Sequence, residues 1–349
     1  MTTVTLDQAR LEAFVGRTLA DWGGLASAPL ILIGQDLGLY DALSEAGPLT
    51  AAELAGRTGT QERYIRDWLV NQAAGGLLEY DPMRQRYCLP AEHALALRGL
   101  ASGYELFLSA VKARPQVARA FKYGGGVRWG EHAPELWPAV DGFFGPNYEQ
   151  YLVQEWIPAL DGVAARLREG AVVADVGSGY GTATLVLARA FSNTRFFGYD
   201  NHAPSVEAAT RVATGAGLDQ RVQFRVAEAT TYPIPAGGYD LIAFFDAFHD
   251  MPNPVHVARH ARGALAPDGS VLLVEPMAGE RVEDNLHALG RVNAAASVLL
   301  CATNALAEGD TALGTLASDG QLRGTFVEAG FTQFRRVAET PFNRVFEAK

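Results

Sequence analysis

The densest chemical signal in the chain is VVADVGSGYGTAT, an apolar run that ends at Asp175 and breaks into Gly177, Ser178, Gly179 and Gly181 before a helical stretch. Glycines let a backbone turn tightly and come close to a ligand, and the helix start that follows presents unpaired N–H groups. The spacing is GxGxG with an acid two residues ahead, not the GxGxxG that cradles a pyrophosphate. A carboxylate in that place suits a cationic amino-acid tail better than a phosphate, so Asp175 is expected to help hold an ammonium, through water or neighbouring backbone. The next strand-like run, FFGYD, puts Asp200 nineteen residues after Gly181, with Asn201 beside it. A carboxylate at that edge can accept hydrogen bonds from both hydroxyls of a ribose. The third run ends in Ala227-Glu228-Ala229, where a contact to an adenine amino group is expected, and the fourth ends in FFDAFHD, bringing in Asp246. A lone GxGxG is often only a turn, and Asp200 alone could cap the helix before Pro204. Four strand ends in order point to a nucleoside cofactor instead.

Just past the fourth strand stands His249, the best general base available, because imidazole titrates at about 6.5 and accepts a proton near neutrality. Asp250, or Glu275 after the fifth strand, would orient it; packing against the cofactor or capping the next helix is the alternative role. His256 and His260 are four apart on the following helix, a metal-compatible spacing. No third ligand or acidic second shell accompanies them, so no metal is expected. Trp129, His132 and Tyr148, from an aromatic linker with the glycine knot KYGGGVRWGEHAPELW, are candidates for an acceptor pocket. So is Asn293, on a helix made polar by Asn285, Arg291 and Asn304. Packing, or a helix or dimer contact, is the competing role for each.

The elements that must position these residues change texture along the chain. From Gly170, the runs AVVADVG, TRFFGYD, VQFRVAEA, YDLIAFFDAF and SVLLVEP alternate with helical segments, which argues for a doubly wound parallel sheet. TQFRRVA and NRVFEAK around Pro341 add a terminal hairpin. At the other end, apolar residues recur at helical spacing from Leu11 to Leu43, interrupted around Gly23-Gly24 and Pro29, which predicts two helices with a break there. Thr50 and Glu53 have capping-box spacing, a helix spans roughly Gln61 to Ala74, and LLEYDPMRQRYCL forms two strands around Asp81-Pro82. Short helices, a tight turn and a hairpin describe a winged helix. Its Arg63, Arg66, Arg84 and Arg86 sit among Glu62, Asp67, Glu79 and Asp81, so packing or dimerisation is expected rather than DNA binding. The expected division is a winged-helix domain over 1–100, a helical linker contributing to the pocket over 101–169, and a nucleoside-binding domain over 170–349.

The 349 residues carry a net charge of -10, with 48% hydrophobic and 19% charged residues. That balance suits a globular chain, and it gives no overall electrostatic hold on nucleic-acid phosphates or acidic lipid. Cys88 and Cys301 form no metal-spaced pair and suit a reducing compartment. The start MTTVTLDQARLEAF lacks a secretory pattern and no run looks long enough in apolar residues to span a bilayer, so a cytoplasmic protein is expected.

Residues 170–276 resemble class I S-adenosylmethionine-dependent methyltransferases, in the order DVGSGYG, YD, AEA, FFDAFHD and VEP. With the winged-helix front, FFGPNYEQYLVQEWIPALDGV and AETPFNRVFEAK, nearly the whole chain is similar to a bacterial group of winged-helix methyltransferases. Ser178 and Tyr180 stand where Cys and His are common in that group, and RVNAAASVLLCATN has fewer aromatic residues. His249-Asp250 is similar to the His-Asp pair of plant-type small-molecule O-methyltransferases, with Met251-Pro252 where a tryptophan usually follows. The resemblance implies a Rossmann-like, seven-stranded α/β domain behind a mainly helical winged-helix domain. It also implies S-adenosylmethionine as cofactor and a homodimer that methylates a small molecule, first of all at a hydroxyl with His249 as base. Carbon, nitrogen or sulfur acceptors and a non-catalytic regulator are the alternatives.

Overall fold

A computed structural model describes residues 6–349, which divide into two units between Leu108 and Ser109. The first unit contains α1 (Gln8–Asp36), α2 (Leu39–Ala46), α3 (Ala51–Thr58), α4 (Glu62–Ala74), β1 (Glu79–Asp81) and β2 (Arg86–Cys88). The capping box that starts α3 is present: Glu53 N donates to Thr50 Oγ1 at 3.3 Å, and Thr50 N donates to Glu53 Oε2 at 2.9 Å. β1 and β2 form the antiparallel wing with Tyr80 opposite Tyr87. Ile31, Leu43, Leu54, Ile65, Trp68 and Leu69 pack into one core between these helices.

The expected break near Gly23-Gly24 and Pro29 is not there. α1 runs unbroken through all three, and the chain turns at Gly38, which takes the left-handed conformation (φ 64°). Neither Gly23 nor Gly24 leaves helical geometry, and a proline costs a helix one N–H donor without forcing its end. Arginines of α4 and of the wing are paired with acids: Arg63 with Asp67 (2.7 Å), Arg66 with Glu62 (2.5 Å) and Arg86 with Glu53 (2.8 Å).

The second unit is built on a seven-stranded sheet of β3 (Val172–Val176), β4 (Arg195–Asp200), β5 (Val222–Val226), β6 (Tyr239–Phe245), β7 (Leu265–Pro276), β8 (Phe334–Glu339) and β9 (Asn343–Ala348). Its order is β5-β4-β3-β6-β7-β9-β8, with β3 to β7 parallel and β9 antiparallel to both neighbours. The Rossmann-like sheet read from the sequence is therefore the one observed. Apolar clusters cover both faces, one around Val173, Leu185 and Phe196, the other around Ile242, Val257 and Phe326. Because β9 inserts between β7 and β8, every residue in it is buried, including Arg344, which bonds to Pro276 O (2.9 Å), Asp319 Oδ1 (2.7 Å) and Ala317 O (2.8 Å). Strand order reverses between β3 and β6, so a crevice opens at their carboxyl ends, where open parallel sheets hold ligands.

One composition-based expectation is corrected. The helical run Ala288–Glu308 is long and apolar enough to cross a membrane by those two criteria. Asn293 and Asn304 interrupt it to the eye, while its alanines and leucines hold the mean hydropathy at 1.2. Both asparagines bond within this unit, to Met277 O and to Asp250 O.

Candidate active site

β3 is an interior strand of the sheet, flanked by β4 and β6, and Asp175 near its end is buried. The loop that follows turns through left-handed Gly177, Gly179 and Gly181 (φ 77°, 51° and 81°). At Gly181 a Cβ would lie 2.3 Å from the Phe224 ring, so the loop needs glycine there for space as well as conformation. Asp200 at the end of β4 fastens this loop. One carboxylate oxygen accepts from Gly179 N (2.9 Å) and the other from His202 N (2.8 Å).

Two adjoining cavities of about 640 and 610 Å³ open over the loop and share Trp129, Gly177, Ala247 and Asp250 in their walls. The first also takes in Asp141, Tyr148, Asp175, Ser178, Gly179 and Asp246. The second takes in Asp200, Asn201, Ala227, Glu228 and Ala229. Among the described residues lining either cavity there is no lysine and no arginine. Burial pushes the carboxyl of Asp175 up to about 7, that of Asp250 up to about 7 and that of Asp246 up to about 8, and it raises Asp141 and Asp200 as well. Thr184 Oγ1 donates to Asp175 Oδ2 at 2.5 Å, while Asp175 Oδ1 is buried with no hydrogen-bond partner. Carboxyls held this far above their usual range, with no lysine or arginine in the cavity walls, are relieved by a cationic ligand.

Asp246 is clamped from two directions. Tyr148 OH, on the π-helical stretch Tyr148–Trp156, donates to Oδ2 (3.1 Å), and Asn343 Nδ2 of β9 donates to Oδ1 (2.7 Å). Its φ of 49° is a left-handed value that few side chains take, and such backbone concentrates at functional sites. His249 sits in the short turn Phe248–Asp250, and its Nδ1 lies 3.0 Å from Glu275 Oε2, both side chains being buried. Glu275, not Asp250, is thus the carboxylate hydrogen-bonded to the ring. That proximity pushes the imidazole well above its ordinary pKa, against burial, which opposes it.

The cavities gather most of the residues singled out by sequence. Trp129 lines both and Tyr148 lines the first, while Gly181 stands behind the loop. His132 and Asn293 line neither: His132 is buried with both ring nitrogens unpartnered, and Asn293 Nδ2 donates to Met277 O at 2.9 Å. His249 lines neither, although its neighbour Asp250 lines both. His260 is taken up by Tyr232 O, at 3.0 Å from Nε2. Asp141, held by Thr182 Oγ1 at 2.6 Å, was not foreseen; its one signal is being the only acid in the aromatic run LWPAVDGFFG. Asn304 was foreseen only as part of a polar helix. It accepts from Trp129 N (2.8 Å) and donates to Asp250 O (3.0 Å), so it ties the loop bearing Trp129 to the cavity wall.

Residues 26–98 match the Rv2258c-like winged HTH domain, and residues 167–329 match a methyltransferase domain. The chain is 33% identical to 27-O-demethylrifamycin SV methyltransferase of Amycolatopsis mediterranei over 107 residues, which are 31% of this chain and only 39% of that protein. It is 27% identical to the acetylserotonin O-methyltransferase of Mus musculus over 93% of this chain and 86% of the relative. The crystal structure of human N-acetylserotonin methyltransferase in complex with SAM superposes with a TM-score of 0.66 at 18% identity, covering 100% of this chain and 99% of that one. At that identity the superposition shows a shared fold.

Proposed function

We propose that this chain, a winged-helix domain joined to a methyltransferase domain, transfers a methyl group from S-adenosylmethionine to a hydroxyl of a small molecule. The observation that carries the reading is the cleft over the GxGxG loop, rich in buried carboxyls and without a lysine or arginine in its walls. The residues present fit that cofactor. Asp175, with its partnerless Oδ1, would hold the ammonium, and Asp200 would hold the ribose hydroxyls. The backbone and side chains of Ala227-Glu228-Ala229 would border the adenine. When bound, the cofactor supplies a methyl already activated by a sulfonium, so the protein's part is alignment, exclusion of water and removal of the acceptor's proton.

Alignment falls to Trp129, which lines both cavities and is fixed through Asn304. Asp246, clamped by Tyr148 and Asn343, borders the same space. His249 takes the proton in its neutral form, with Nδ1–H turned to Glu275, a form that its raised pKa favours only toward alkaline pH. The Glu275 carboxylate then stabilises the imidazolium that forms, which is the sense in which proximity raises its pKa.

The reading extends to assembly and location. α1 exposes Phe14, Leu19, Trp22 and Leu25, each more than half accessible within its unit, and an apolar stripe of that length is suited to pairing with a second copy. The winged-helix domain, taken as residues 1–100, then serves as a dimerisation element, and the self-paired arginines of α4 leave little cation for a duplex. A cytosolic location suits the two free cysteines.

The test is to incubate the protein and methyl-labelled S-adenosylmethionine with small-molecule extract from its own source, with Asp200→Ala in parallel. A labelled product of one added methyl, absent with the variant, supports the reading. Label found only in RNA or DNA refutes it.

A further inference from the structure

Behind the cleft, His249, Asp250 and Cys301 bring three ligand atoms within 4.8 Å of one another. Their sequence spacing hides this, because Cys301 lies more than fifty residues beyond the other two. It closes the π-helical turn Ser297–Cys301, an irregularity frequent at functional sites, and its side chain is buried. We propose that His249, Asp250 and Cys301 form a binding site for a thiophilic divalent ion, with Zn²⁺ as the reference case, and that occupancy of this site disables His249 as a base. The second part rests on the proposed function; the first does not.

The chemistry of the donors selects the ion. A thiolate, an imidazole and a carboxylate are the donors of tetrahedral zinc, whereas Mg²⁺ and Ca²⁺ take oxygen ligands and gain nothing from sulfur. Donor atoms around one tetrahedral ion lie roughly 3–4 Å apart, given metal bonds of about 2.0–2.3 Å, so side-chain movement of about 1 Å closes the set. A ligating histidine characteristically gives its other ring nitrogen to a carboxylate. Here Glu275 already holds Nδ1 at 3.0 Å, which leaves the second nitrogen to ligate. Glu275 is 1% exposed and its Oε1 has no hydrogen-bond partner, so a buried oxygen donor without a bond stands beside the three. Asp250 lines both cavities and gives an ion a way in from the cleft. Binding displaces the Cys301 thiol proton to solvent and takes up the lone pair that His249 would use on an acceptor.

The experiment uses the full chain, stripped with chelator, dialysed and loaded with zinc chloride or cobalt chloride. Wild type is expected to retain about one zinc per chain and, with cobalt, to show a thiolate-to-metal charge-transfer band. Cys301→Ala is expected to bind at least tenfold more weakly and to lack the band, with a thermal melt confirming its fold. Should it not fold, Asp250→Asn provides the same comparison of zinc uptake. Turnover is compared with and without zinc within each variant: the ratio drops at least tenfold in wild type and stays near one in Cys301→Ala. Wild type that takes up no more zinc than the variant overturns the site. Zinc bound through Cys301 with wild-type turnover unchanged leaves the site standing and overturns His249 as base.

Discussion

Replacing Asp175 by Asn separates binding from folding at the centre of the cleft. The carboxyl is 2% exposed, and burial raises it from 3.8 to about 7. The folded protein therefore prefers it protonated. The stability conferred by that proton is complete below about pH 4 and is lost as the pH rises through 7, a loss of about 4 kcal/mol when fully developed. Asn is neutral throughout and escapes this loss. It still accepts from Thr184, but it places an amide N–H where Oδ1 now lacks a partner, at a cost of about 1–3 kcal/mol. At pH 8 the ligand-free variant should gain about 1–3 kcal/mol over wild type, a rise in melting temperature of roughly 2–10 °C for a domain of this size. At pH 5 the two should converge, or the variant should fall below. Saturating S-adenosylmethionine should reverse the order, because the lost charge-assisted bond is worth about 1.5–3 kcal/mol, or roughly 10–100-fold in affinity. Thermal melts at pH 5 and 8, with and without cofactor, read all four states. A variant less stable than wild type at pH 8, yet equally stabilised by the cofactor, would refute the reasoning.

Gly181→Ala places a methyl against Phe224 at a left-handed position (φ 81°), so it should lower cofactor affinity at least tenfold and depress the melting temperature, checked by calorimetry and thermal melts. His249→Ala should reduce the turnover number about 10²–10⁴-fold, the usual contribution of a positioned base, with the cofactor Kd nearly unchanged. Turnover equal to wild type would instead favour an acceptor that needs no deprotonation. Trp22→Glu puts a charge in the exposed stripe of α1 and should convert the proposed dimer to monomer in light scattering behind size-exclusion chromatography, while leaving cofactor affinity as it was.

Local features were legible in the sequence because local rules produce them. The glycine loop, the Thr50–Glu53 box, the wing strands and the strand-end acids all follow from neighbours a few residues apart. Interactions across long separations were not legible. Asp141 reaches the cleft through Thr182, and Cys301 comes beside His249 from a π-helical turn. Neither of these leaves a spacing signal. Sequence offered both Asp250 and Glu275 as partners of His249, and only the register of β6 against β7 distinguishes them. The error in α1 has a different origin: Gly23 and Gly24 cost a helix about 1 kcal/mol each and Pro29 about 3 kcal/mol, yet none of them ends this helix of 29 residues.

The central claim is that the acid-lined cleft is built for a cationic nucleoside cofactor. Isothermal titration of S-adenosylmethionine into the protein across pH 5.5–8.5 tests it most directly. Saturable binding at one site per chain is predicted, weakening by up to about tenfold per pH unit below 7 as Asp175 protonates, and lost in Asp200→Ala. No saturable binding at any pH, or equal binding of ATP in its place, would contradict the claim.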